Sequence, residues 1–471
     1  MIIIFLLFFA NKRKNMLHFV KQGGIIIMKL GMVELLMLQG VANMDIKRIK
    51  VCGFRNITEV NLRFDNITAL VGLNGYGKSN VMDAIDFGFD FIHAPNAEKA
   101  GMMTSKHCIP ILKANAGQDY SFEIDLAIES GKKKYHVNYG FSFAWKTNKS
   151  SAKVTSEILR IKLEEKNQRY VSFIARDETS AQYKSSETGR CSKPIAIDDN
   201  ALVINKLTAL DDLFYLDIIK KLNNVKFFIE RHLDASLSFV PDPFVIKGFQ
   251  ELELRGIQSI PRAIYFLKKD HSDKYELLIN AFKQLFPDVV DLNVKEIKLN
   301  EESKLSISDD APFVFTDSIY SISIIDNKLV QPVSFEHLSD GTKRVFLMLT
   351  YAVIADIRNL SMIAIEEPEN SIHPSLFQNY LDVLGQLVNN CKIIVTSHSP
   401  YIIQYLEPSS IYIGMTNTTG EVDFKRIAPS KVNCLLKDAA EYDRSVGDYI
   451  FNLISSSDSD EYLQEYVESN G

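Results

Sequence analysis

Three stretches of this sequence predict an α/β fold. In the first, the apolar run Asn66-Ile67-Thr68-Ala69-Leu70-Val71 leads into Gly72-Leu73-Asn74-Gly75-Tyr76-Gly77-Lys78-Ser79, and Asn80-Val81-Met82-Asp83-Ala84-Ile85 follows with helical character. In the second, Met362-Ile363-Ala364-Ile365 ends in Glu366-Glu367-Pro368-Glu369. In the third, Ile393-Ile394-Val395 ends in Thr396-Ser397-His398-Ser399-Pro400. Short apolar runs that stop abruptly at polar residues read as strands buried on both faces, as in a parallel sheet covered by helices.

The first stretch reads G-x-x-x-x-G-K-S, the phosphate-binding loop of P-loop NTPases, in the strand-to-helix setting that the motif requires. Gly72, Gly75 and Gly77 permit backbone angles at which successive N–H groups turn inward around a phosphate. The helix end behind them adds free N–H donors and partial positive charge. Lys78 is then placed to reach the β- and γ-phosphates, and the Ser79 hydroxyl to ligate Mg²⁺.

At 471 residues the chain is long for one domain and suggests a core with an insertion or a second domain. A formal charge of −6 gives no general attraction to nucleic acid, so any DNA contact needs a local patch. Lys132-Lys133-Lys134 is one such cluster, though a solvated hairpin tip is the simpler reading. Cysteines 52, 108, 191, 391 and 434 form no C-x-x-C pair, which argues against a zinc site or disulfide framework and fits a reducing cytosol.

Residues 1–43 contain a nine-residue apolar run at 2–10, too short to span a bilayer, followed rather than preceded by Lys12-Arg13-Lys14. They read as a mis-called start or a flexible extension ahead of Met44, with no membrane association expected. Residues 44–147 read as an N-terminal lobe: strands at 46–54 and 60–64, the phosphate loop, then alternating strands at 120–126 and 135–143 turned by Gly131-Lys132. Gln118, just before the first of these, is a candidate metal ligand or γ-phosphate sensor, against the simpler reading of a surface loop residue. Residues 148–330 read as a mostly helical insertion, with helical spacing at 209–222 and 272–286 and small returning strands at 294–299 and 321–325. Residues 331–430 read as a C-terminal lobe, and 431–471 as a tail whose acidic, Ser-rich end from 455 is disordered.

In the C-terminal lobe, Leu338-Ser339-Asp340-Gly341-Thr342-Lys343 precedes an apolar helical run, placing Ser339 and Gly341 at a helix N-terminus. Alone this is only a good cap. The carboxylates at 366, 367 and 369 stand where hydrated Mg²⁺ can be held and a water oriented. His398 ends a neighbouring strand, where it can hydrogen-bond the γ-phosphate or the attacking water.

Taken together, the sequence resembles the ATP-binding-cassette (ABC) ATPases of the SMC, RecF and OLD group within the AAA families. The matching pieces are Gly53-Phe54-Arg55-Asn56, the loop from Gly72 to Ser79 with Asn80, Leu338-Ser339-Asp340-Gly341, Glu366-Glu367-Pro368-Glu369 with His373-Pro374, and Thr396-Ser397-His398-Ser399-Pro400. They follow family order over residues 53–400. The resemblance implies an ABC-type core sheet flanked by helices and a cytoplasmic ATPase using ATP and Mg²⁺. Gly72, Asn74, Gly75, Gly77, Lys78, Ser79 and Asn80 would cradle phosphate, with Ser79, Glu366 and Gln118 at the metal. Glu367 would be the catalytic base and His398 the switch histidine. Ser339 and Gly341 would close on the ATP of a second copy, in a homodimer or higher oligomer. Arg55 would contact nucleotide or DNA.

The departures are informative. Glu366 stands where transporters and SMC proteins carry Asp, and the signature lacks the middle glycine of the transporter form. The stretch between loop and signature is too long for a transporter ATPase and shows no sustained heptads. The residues after His398 are too few for a Toprim nuclease domain, so the effector is expected to be a separate nuclease or toxin chain. The alternative to a hydrolysing switch is a nucleotide-gated scaffold that holds such a partner inactive.

Overall fold

The computed structural model describes residues 44–468, apart from 147–150, 232–234, 236, 249–251, 253–259, 301–309, 389–390, 417–418 and 457–461. The expectations for 1–43, for 457–461 and for 469–471 therefore lie outside the described residues. All described residues belong to one compact unit, Asn43–Gly471.

In chain order, β1 (Met44–Phe54), β2 (Ile57–Arg63) and β3 (Ile67–Val71) precede α1 (Lys78–His93) and α2 (Asn96–Met102). A meander follows, of β4 (Tyr120–Ser130), β5 (Lys133–Ala144), β6 (Lys153–Leu163), β7 (Val171–Arg176), β8 (Ala181–Lys184) and β9 (Cys191–Pro194). Then come α3 (Val203–Leu207), α4 (Leu216–Leu222), β10 (Phe227–Glu230), β11 (Phe244–Ile246), α5 (Ile260–Asp270) and α6 (Ser272–Leu285). Next are β12 (Val289–Lys298), β13 (Phe313–Phe315), β14 (Ser318–Asp326) and β15 (Val333–Ser334). The last part runs α7 (Asp340–Ile357), β16 (Met362–Glu366), α8 (Pro374–Leu387), β17 (Lys392–Ser397), α9 (Pro400–Tyr405), β18 (Ile411–Thr416), β19 (Val422–Arg426), α10 (Val432–Glu441) and α11 (Val446–Ile454).

One 14-stranded mixed sheet organises these elements, in the order β10-β16-β17-β3-β18-β19-β2-β1-β4-β5-β6-β7-β8-β9. From β10 to β18 the pairing is parallel; β18 and β19 pair antiparallel, as do β2, β1 and the meander from β4 to β9. Period-two alternation in the parallel strands divides the core into two layers. Ala69, Val71, Ile363, Ile365, Ile393 and Val395 face α6, α7 and α8. Leu70, Met362, Ala364 and Ile394 face α1 and the meander. Helix α7 is buried on nearly every side from Val345 to Ala355, which is why its sequence reads as a continuous apolar run rather than a stripe.

The α/β expectation stands, as a large mixed sheet flanked by helices. Two parts of the reading need correction. The first part of 148–330 is not helical: β6 to β9 extend the main sheet, and only 216–222 of the helix expected at 209–222 forms. The cause is charge on the buried face. In β6 the inward positions are Val154, Glu157, Leu159 and Ile161, and Glu157 breaks the apolar alternation that marks a strand. Its carboxylate is satisfied by the N–H groups of Val203 and Ile204 and by the Tyr139 hydroxyl, so burial is tolerated. The second correction concerns the chain's end. Leu463, Tyr466 and Val467 are buried, the Ala428 N–H donates to Tyr466 O at 2.8 Å, and Val467 bridges Ile427, so 462–468 is packed rather than disordered.

Candidate functional site

The tips of the parallel strands carry the site. Register places Val71 beside Ser397 and Glu366 beside Thr396, so the phosphate loop, the acidic turn and the 397–399 turn leave the sheet at one edge. This is the carboxyl edge, where open α/β sheets hold their ligands.

At the loop, Gly75 and Gly77 have φ of 85° and 74°, and Gly77 caps α1 from the left-handed region. A side chain at Gly77 would meet Val422 Cγ2 at 3.0 Å and Asn56 Nδ2 at 3.3 Å, so the backbone angle calls for glycine and the space around it is tight. No side chain caps α1 and its first turn holds no acid, which leaves the helix end open to an anion. Lys78 Nζ folds back onto Gly72 O at 2.7 Å and Leu73 O at 3.1 Å. Burial pulls its pKa down, while the charges of Glu367, Glu369 and Glu366 oppose that pull. Asn74, Gly75 and Ser79 are exposed.

At the acidic turn, Glu367 adopts φ 49°. Its N–H donates to Thr396 O at 2.8 Å and its carbonyl accepts from Arg344 Nη2 at 2.7 Å. Its carboxylate accepts from Asn370 Nδ2 at 2.7 Å and lies 3.0 Å from His398 Nδ1, close but out of line for a hydrogen bond. Glu369 is buried, which raises its pKa, and one oxygen accepts from the Ser397 hydroxyl. Ser397 in turn accepts the Ser399 N–H on its hydroxyl and the Gly72 N–H on its carbonyl, so acidic turn, histidine turn and phosphate loop are wired together. Glu366 lies beside Arg231, which follows β10.

Structure and expectation meet unevenly. Lys78, Glu366, Glu367 and His398 are brought to one place. Asn80 and Arg55 are paired at 2.7 Å, and Arg55 also holds Asp83, so Arg55 faces α1 rather than open solvent. Gln118 donates to Thr58 O at 2.9 Å, beside the Arg55 turn, while its Oε1 is buried without a hydrogen-bond partner. Ser339 caps α7 through Thr342, and Gly341 lies against the backbone of Ser371; among the described residues neither hydrogen-bonds to the 72–79 loop. The Ser339 end of α7 is exposed.

A family model described as "AAA domain, putative AbiEii toxin, Type IV TA system" matches residues 67–404, from β3 through the histidine turn. The chain belongs to this AAA family. Solved structures similar to this AAA protein include an SMC head domain from Thermotoga maritima, at 14% identity over 82% of this chain and 99% of that one, with a TM-score of 0.37. Another is an SMC head bound to the C-terminal winged-helix domain of ScpA, at 12% identity, 82% and 99% coverage and a TM-score of 0.42. No curated protein matches the chain.

Sequence reasoning missed Arg231, Arg344 and the Glu369–Ser397 pair as parts of the AAA site. Arg231 carried a signal: Phe227-Phe228-Ile229 runs into Glu230-Arg231 just as Ile363-Ala364-Ile365 runs into Glu366. Arg344 carried none, because its position on α7 says nothing of which turn it reaches. Among the described residues no helix is long and apolar enough to cross a membrane, and no three His, Cys, Asp or Glu side chains group as a metal cage. A magnesium site needs no such cage, since Mg²⁺ keeps waters and takes one or two protein oxygens plus phosphate.

Proposed function

We propose that this AAA protein binds magnesium–ATP between the 72–79 loop and the 366–369 turn and hydrolyses it. The observation that carries the reading is that the 72–79 loop, the 366–369 turn and the His398 turn leave one edge of the sheet together, beside the N-terminus of a helix that no side chain caps. The loop N–H groups and Lys78 would take the β- and γ-phosphates, and the Ser79 hydroxyl with Glu366 would hold the metal, joined by Gln118 Oε1, which has no hydrogen-bond partner while the amide nitrogen is held on Thr58 O. Magnesium, when bound, supplies positive charge against the transferring phosphoryl group. Glu367 orients the attacking water and accepts its proton, and His398 beside it contacts the γ-phosphate. Ser339 and Gly341 of a second copy complete the cage, which makes nucleotide state a dimerisation switch. The dimer gates a separate effector chain, a nuclease or toxin, in phage defence or DNA maintenance in the cytoplasm. The toxin–antitoxin description of the matched family supports that setting.

Purified Lys78→Ala loses ATP binding, and Glu367→Gln binds ATP while its turnover falls by about 10²–10⁴. Wild-type turnover in either variant removes the assigned role. A wild-type chain that retains ATP without releasing phosphate favours the gated scaffold instead.

A further inference from the structure

The mouth of the site carries an arginine, Arg231, with an acid on either side of it. Arg231 leaves the tip of β10, the edge strand paired with β16. Its Nη2 pairs with Asp83 Oδ1 on α1, and its Nη1 lies 4.0 Å from Glu366 Oε1. The other Asp83 oxygen is taken by Arg55, which also donates to Asn80 Oδ1 at 2.7 Å. Charges therefore alternate along Glu366, Arg231, Asp83 and Arg55, from the acidic strand tip to the helix behind the phosphate loop. Glu366 and Asp83 are 22% and 16% exposed at their side chains and Arg231 is 38% exposed, so the bridge is reachable from solvent yet anchored on shielded carboxylates. A planar, two-pronged guanidinium suits such a bridge in a way a lysine does not.

We propose that Arg231 is a positioning residue acting through Glu366: it is the resting counter-ion of the magnesium carboxylate, and metal must displace it. This rests on the reading of Glu366 as a magnesium ligand. Two effects act with one sign. Glu366 shared with a guanidinium offers less negative charge to a cation, and the Arg231 charge itself repels an incoming divalent ion. Metal binding is thereby restrained until the nucleotide's phosphates add their own charge. When Glu366 turns to the metal, Arg231 keeps its hold on Asp83, so β10 stays tied to α1 while the tip of β16 is released.

The test is a magnesium titration of the full chain with a fluorescent ATP analogue, read as bound nucleotide rather than turnover, on wild type, Arg231→Gln, Glu366→Gln and the double variant. Glu366→Gln raises the magnesium half-saturation point; if it does not, the reading of Glu366 fails and the proposal with it. With that control in place, Arg231→Gln lowers the half-saturation point about two- to fivefold, the range expected for a partly exposed ion pair. Its effect is smaller in the Glu366→Gln background, where only the direct repulsion between Arg231 and the cation remains, and nucleotide binding in chelator is unchanged. An unchanged or raised half-saturation point for Arg231→Gln, or an equal shift in the double variant, overturns the proposal. Should Arg231→Gln not fold, Arg231→Lys carries the test: a value below wild type supports the bridge, and one equal or higher overturns it.

Discussion

Glu367 joins backbone strain to chemistry. A non-glycine residue in the left-handed region costs about 1–3 kcal/mol and persists only where its surroundings over-determine it. Here the N–H bond to Thr396 and the carbonyl bond from Arg344 do so, and the carboxylate lies between Asn370 and His398. A second residue-scale consequence lies away from the site. Lys99 is fully buried, with Nζ donating to Ala94 O, Ile92 O and Asn205 Oδ1, and burial pulls its pKa down to about 8. An unfolded lysine keeps its proton to about 10.4. Between those values the unfolded chain binds more protons than the folded one, so this group makes stability rise with pH across the window and costs most below it. Lys99→Met removes that contribution. The urea midpoint of wild type relative to Lys99→Met should climb from pH 7.5 to 10, and a flat difference would contradict the assignment.

Among elements, the junction of α7 with the acidic turn ties the start of the helix to Glu367. Gly341 lies so close to Ser371 that a Cβ would collide with the Ser371 carbonyl, and Arg344, one turn on, grips Glu367 O. Gly341→Ala should lower the unfolding free energy by about 1–3 kcal/mol, because overpacking against backbone outweighs the gain in helix propensity. The check is a shifted urea midpoint at unchanged slope; an unshifted midpoint would show that the turn yields. The meander at the far end of the sheet illustrates what a pattern cannot reveal. Arg176 and Lys184 are buried there, like Glu157: Arg176 donates to the carbonyls of Ala201 and Asp198, and Lys184 to the Gly189 carbonyl within its own hairpin.

For the whole molecule, the question is what completes the cage. Ser339 is exposed at the start of α7, and its hydroxyl caps the helix through the Thr342 N–H. With magnesium–ATP, Glu367→Gln should migrate as a dimer of the 53.4 kDa chain, since slowed hydrolysis leaves the shared contacts intact. Ser339→Arg should remain a monomer while still binding nucleotide, because the added bulk faces the second copy and not the chain's own loop. Sedimentation with and without nucleotide distinguishes these outcomes; a dimer in both variants irrespective of ATP would detach assembly from the nucleotide.

What the linear order determined was the chemistry that lives within a few consecutive residues. The phosphate loop from Gly72 to Ser79, the strand ending in Glu366 and Glu367 and the strand ending in His398 are each complete in one short run, because a strand must deliver its tip residues directly. What only the tertiary structure decided was pairing across distance. Arg231 reaches Asp83 and Glu366, Arg344 reaches Glu367, and Glu369 reaches Ser397 because the parallel strands are stacked side by side, an arrangement that no local periodicity encodes. Glu157 and Arg176 of the meander belong to the same class: their buried charges are tolerated by backbone groups of residues 198–204.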